Sequence, residues 1–243
     1  MINRDAYAHF IKNICAAERG GMEIAMTPVA QWLNTTFESF DHTILEFFHD
    51  LAVSAGDVLT PIAETLGFLG ELSWFTVVIA IVLLLFAKTR KGGVAMIFSV
   101  LIGSVFTNLC IKNLVARPRP YTMGYDEWWQ AAGASTPSEF SFPSGHATAV
   151  TATILALCLF LLIDAKKHRW IVAPAALYAL VMGASRIYLV VHYPTDVIGG
   201  IITGSAAAIL GYLLASKLFS LFEKYKCDQA CAFILEADVR NRR

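Results

Sequence analysis

Three short segments of the 243-residue chain hold the side chains needed to grip and transfer a phosphoryl group: 112–120 (KNLVARPRP), 143–146 (PSGH) and 185–196 (SRIYLVVHYPTD). His192 and Asp196, four residues apart, can share a helical face, and Pro194 marks where such a helix would begin. A carboxylate accepting the Nδ1 proton of His192 fixes the tautomer and leaves Nε2 with a lone pair for nucleophilic attack. The alternative is a helix-capping Asp beside an unrelated interfacial histidine. Ser144 is a natural N-cap, and Gly145 lets backbone amides approach an anion. His146 would then stand where a leaving oxygen needs a proton. Here the alternative is an ordinary N-cap next to a chance histidine.

Lys112, Arg119 and Arg186 supply a clamp of fixed cations for the equatorial oxygens of a transferring phosphoryl group. The planar fork of Arg suits two oxygens at once. Each of these cations taken singly also reads as an interfacial side chain snorkelling from a helix end. Arg117 either supports the clamp from behind or meets lipid headgroups.

The elements that position these residues are hydrophobic. The chain is 56% hydrophobic and only 16% charged, with a mean hydropathy of +0.57. About a quarter of a soluble domain's residues are charged, so the composition indicates a membrane protein. A formal net charge of +0 speaks against nucleic-acid binding. The expected architecture is all-α, a polytopic transmembrane bundle with five spans near 72–87, 93–111, 147–163, 170–185 and 197–216. The stretch 40–70 mixes apolar positions with Glu46, Asp50, Asp57 and Glu64, which suits amphipathic helices at the interface; a sixth crossing within residues 1–71 is left open. Three regions follow: an N-terminal interfacial part (1–71), a transmembrane core (72–221) and a cytoplasmic tail (222–243). Residues 1–21 lack the apolar core of a secretory signal.

Lys88, Arg90 and Lys91, then Lys166, Lys167 and Arg169, then Lys217, Lys224, Lys226, Arg240, Arg242 and Arg243 follow alternate spans. The positive-inside rule makes these regions cytoplasmic and turns all three motif segments outward. Cys110 and Cys158 fall in apolar runs and read as buried small hydrophobes. Cys15, Cys227 and Cys231 show no disulfide or zinc spacing, and the last two admit acylation. Asn34-Thr35-Thr36 matches a glycosylation sequon.

The three segments together resemble the type-2 phosphatidic acid phosphatase superfamily of membrane lipid phosphatases, whose signature is K-x6-RP, PSGH and SR-x5-H-x3-D. Lys112 with Arg119-Pro120, Pro143 to His146, and Ser185-Arg186 with His192 and Asp196 complete it in order and spacing. The resemblance implies that His192 is the nucleophile, Asp196 its orienting partner and His146 the general acid. It also implies phosphate binding by Lys112, Arg119, Ser144, Gly145 and Arg186. The family commonly has six spans, and a first one is not legible in residues 1–70.

The reaction expected is metal-independent double displacement on a lipid phosphate or diphosphate, such as phosphatidate, phosphatidylglycerophosphate or polyprenyl diphosphate, with no cofactor. Tyr121, Tyr125, Trp128 and Trp129 suit an aromatic belt at the interface or a lid beside an acyl chain. Rival readings are a lipid-linked phosphotransferase, a vanadate-dependent haloperoxidase, and a transporter or membrane scaffold. The first would need an acceptor alcohol; haloperoxidases are soluble; a transporter would need ionisable groups within its spans. The expected setting is a bacterial cytoplasmic membrane with the site facing outward.

Overall fold

The computed structural model describes residues 26–70, 74–132, 140–165 and 169–225, and all regular structure among them is helical. α1 (Pro28–Thr36) and α2 (Glu38–Gly70) precede α3 (Trp74–Leu84), α4 (Arg90–Val105) and a short α5 (Asp126–Ala132). α6 (Gly145–Leu159), α7 (Val172–Tyr188) and α8 (Pro194–Lys224) follow. The cysteines at 15, 227 and 231, and most of the expected tail, lie outside the described residues.

α4 with its continuation to Thr122, α6 with its continuation to Ala165, and α8 are long and apolar enough to cross a bilayer. The chain is therefore an integral membrane protein. Two of the five expected spans are shorter: α7 has 17 residues and α3 has 11. α3 stops at Leu84, before the expected Ala87, because side chains take its last carbonyls. Thr89 Oγ1 donates to Leu83 O at 2.9 Å and Arg90 Nε to Leu84 O at 2.8 Å.

The stretch expected to form amphipathic helices is helical throughout α2 except at Ala55, whose φ −140° and ψ 20° break it into two segments, the second carrying Pro61. It packs along α7 and under α5. Cys158 is buried as expected, but Cys110 is exposed, because α4 turns that side outward with Leu101, Val105 and Leu109.

α4, α6 and α8 pack most closely together, and small residues make that possible. A Cβ on Gly204 would lie 2.5 Å from Thr148 O, and one on Gly200 would lie 2.7 Å from Ser144 O. Both obstacles are backbone of α6 or its cap, which cannot swing aside. This close approach brings the first turn of α8 against the first turn of α6. The Gly204→Leu substitution is expected to cost about 1–3 kcal/mol through overpacking. A lowered melting temperature in detergent would show it; an unchanged one would contradict this packing account.

Candidate active site

The chain folds so that four helix ends meet on one side of the bundle: the end of α4, the starts of α6 and α8, and the end of α7. α4 continues through a wide π turn at Phe106–Ile111, in which the Lys112 amide bonds Thr107 O. Such turns rotate the residues that follow them and recur at functional sites. Lys112 emerges from it buried, and a Cβ on Gly145 would lie 3.8 Å from its Nζ. Ala116, at φ 51°, ends the helix, and Pro118 and Pro120 prevent its resumption. Arg119 then reaches across to donate from its NH1 to Val191 O at 2.7 Å, with the same nitrogen 3.3 Å from His192 Nε2.

The PSGH turn caps α6. Ser144 Oγ accepts from the Ala147 amide at 3.4 Å, and the Ser144 amide donates to Asp196 O at 3.0 Å. His146 Nε2 faces Gly67 O of α2 at 3.3 Å. Since a carbonyl only accepts, this nitrogen carries the proton. Arg186, Arg119 and Lys112 all lie within electrostatic reach of His146.

α7 ends in a Schellman closure: the Val191 amide bonds Arg186 O at 3.3 Å and the Val190 amide bonds Ile187 O at 2.9 Å. The residue in the left-handed position is Val190, at φ 53° and fully buried, where glycine is usual. A β-branched residue there is strained by about 1–2 kcal/mol. The turn delivers His192 directly above the start of α8. Arg186 itself looks toward α2, donating to Ala63 O at 2.7 Å and to Ser185 Oγ at 3.2 Å. Gly67 leaves room for it, since a Cβ there would lie 2.4 Å from the guanidinium.

Asp196 Oδ2 lies 3.6 Å from His192 Nδ1 and also accepts the Tyr193 amide at 2.8 Å. The carboxylate therefore caps α8 and faces the histidine, so the two readings of the His192/Asp196 pair coincide in one group. Ser141 Oγ sits beside both, 2.5 Å from Asp196 Oδ2 and 3.5 Å from His192 Nδ1. Arg117 is set apart from Lys112, Arg119 and Arg186. It stands behind Asp196, with its NH1 donating to Oδ1 at 2.7 Å, its NH2 to Asp41 at 2.8 Å and its Nε to Asn34 at 2.7 Å. The sequon asparagine is thus engaged inside the fold.

All the expected site residues converge at this end of the bundle. Ser141, Asp41, Thr195 and the α2 carbonyls of Ala63 and Gly67 were not anticipated. Asp41 did leave a signal: it shares the buried face of α2 with Leu45 and Ala52 at helical spacing, where a charge needs a partner. The aromatic connection is tied to the same helix. Trp128 stacks on His49 at 4.8 Å, and Tyr125 OH lies 3.2 Å from His42 Nδ1. Among the described residues, no group of three or more His, Cys, Asp or Glu gathers as a metal site.

Burial, reinforced by the Arg119 guanidinium, lowers the pKa of His192 to about 3, against the raising effect of Asp196. The ring is therefore neutral across the physiological range, as a nucleophile requires.

The PAP2 superfamily profile matches residues 92–220, so the chain belongs to the PAP2 superfamily. It is 31% identical over 134 residues to an undecaprenyl-diphosphatase of Sulfolobus acidocaldarius, covering 55% of this chain and 60% of that protein. A lipid A 1-phosphatase of Rhizobium johnstonii is 27% identical over 220 residues, covering 81% of this chain and 86% of the relative. The crystal structure of a transmembrane PAP2-type phosphatidylglycerolphosphate phosphatase from Bacillus subtilis superposes with a TM-score of 0.59 at 24% identity. That superposition covers 89% of this chain and 98% of the other, and shows a shared fold.

The depressed pKa has a direct consequence. In an NMR titration of labelled histidine, His192 should stay neutral as pH falls through 6.5, the value of an unperturbed imidazole. It should take a proton only in strongly acid solution. Titration of His192 near 6.5 would contradict the burial and cation contacts described here.

Proposed function

We propose that the protein is an integral-membrane lipid phosphatase that hydrolyses a phosphomonoester or diphosphate headgroup through a phosphohistidine. The observation that carries this reading is the placement of Arg119 NH1 3.3 Å from His192 Nε2, beside the amide-rich start of α6. A buried neutral imidazole nitrogen next to a fixed cation and a helix N-terminus suits a phosphoryl group far better than it suits a structural role.

In the proposed reaction His192 Nε2 attacks phosphorus in line, and the bond from phosphorus to the leaving oxygen breaks. His146 gives that oxygen a proton. Water then attacks the phosphohistidine, losing its proton to His146, and the P–N bond breaks to release inorganic phosphate. Lys112, Arg119 and Arg186 stabilise the equatorial oxygens, with the amides at Ser144 and Gly145. Asp196 holds the His192 ring. His146 must exchange Gly67 O for the leaving oxygen, and Arg186 must partly turn from Ala63 O; substrate binding supplies both alternatives.

A lipid substrate follows from the site's position at the ends of membrane-crossing helices, where a headgroup enters while its tail stays in the bilayer. The names of the relatives, polyprenyl diphosphate and lipid A phosphatases among them, support the same class. The basic residues at the opposite end support an outward-facing site in a cytoplasmic membrane.

Phosphate release from a panel of lipid phosphates and diphosphates, in detergent with excess EDTA, tests the reading. The wild type should release phosphate and His192→Ala should show no turnover, while His146→Ala should bind substrate but turn over at least about 100-fold more slowly. Undiminished activity of His192→Ala would end the proposal. Product that forms only when an alcohol is added would favour a phosphotransferase.

A further inference from the structure

Asp41 lies in α2, outside the three motifs and outside the matched residues 92–220. It is only 2% exposed, and both of its oxygens are engaged by the motif region. Oδ1 accepts the Thr195 amide at 2.9 Å. Oδ2 accepts Thr195 Oγ1 at 2.7 Å and Arg117 NH2 at 2.8 Å. The same guanidinium donates through NH1 to Asp196 Oδ1 and to Thr195 Oγ1, each at 2.7 Å. Tyr193 covers its face at 3.8 Å. One buried cation is thus shared between two buried carboxylates, of which only Asp196 touches the histidine.

Two physical consequences follow. The Thr195 amide is one of the unsatisfied donors at the start of α8, so Asp41 ties down the turn that carries Asp196. Charge matters as well. Arg117 alone would cancel Asp196 and leave His192 without a counter-charge as positive character develops on its ring. With Asp41 drawing on the same cation, the trio of Asp41, Arg117 and Asp196 keeps one net negative charge facing His192.

We propose that Asp41 is a positioning residue for the His192–Asp196 pair, setting both the orientation of Asp196 and the charge left to it. This inference rests on the phosphatase reading above. It also gives α2 a part in the chemistry that the three motifs do not contain.

The test is Asp41→Asn, which keeps the shape and removes the charge, assayed with a lipid phosphate and with inorganic phosphate as competing ligand. kcat should fall about 10- to 100-fold. KM and the inhibition constant of inorganic phosphate should move less than about threefold, because Lys112, Arg119 and Arg186 are untouched. Thr195→Val, a milder change that removes the hydroxyl bridging Asp41 and Arg117, should move the same parameters in the same direction. It decides the matter if Asp41→Asn does not fold. Unchanged kcat in the variants overturns the inference. So does an equal loss of kcat and phosphate affinity, which would mean general collapse of the site. Those outcomes, with an active wild type and an inactive His192→Ala, leave the phosphatase reading intact. An inactive wild type would remove that reading and this inference with it.

Discussion

The site depends on one buried carboxylate. Asp196 is 0% exposed, and its contacts join all three motif segments. Its side chain meets Arg117 from the first segment and His192 from its own, while its backbone oxygen accepts the Ser144 amide of the second. An unpaired carboxylate in such a place would cost several kcal/mol, about 3–5 when one partner of a buried pair is removed. The surrounding donors therefore cannot be rearranged singly. The Tyr193 amide, Ser141 Oγ and Arg117 fix the carboxylate, and the carboxylate fixes the start of α8 and the ring above it.

Rigid placement of this kind is achieved with local strain. Among the described residues, two that are not glycine sit in the left-handed region, Ala116 and Val190, each two or three positions before a site residue, Arg119 or His192. Both end a helix abruptly and redirect the chain into the convergence zone. The close approach of α6 and α8 through Gly200 and Gly204 supplies the stiff base against which these turns are held. The opposite end of the bundle is built differently: Lys91 pairs with Asp164 at 2.7 Å, partly exposed, and Tyr212 OH donates to the same carboxylate. Charge there joins two helix ends at the surface, whereas the charge around His192 is buried.

The motif residues were legible in the sequence because their chemistry depends on short, fixed spacings within single helix ends. Ser144 at an N-cap, Pro194 at a helix start and Asp196 in the first turn are local signals, and the structure realises them as helix starts. Asp41, Ser141 and the carbonyls of Ala63 and Gly67 act across long sequence separations, and no local pattern reports such contacts. α2 was legible as helical, but its burial along α7 and under α5 was not, because those contacts join residues distant in sequence. The length of α3 was overestimated because apolar composition does not show where side-chain capping ends a helix.

The central claim is that His192 carries the phosphoryl group covalently. The most direct measurement is rapid acid-free quenching of the enzyme during turnover of a radiolabelled lipid phosphate, followed by peptide mapping. The account predicts an acid-labile, alkali-stable label on the peptide containing His192 in the wild type, and none in His192→Ala. Label on another residue, or wild-type turnover with no label on His192 at any quench time, would contradict it.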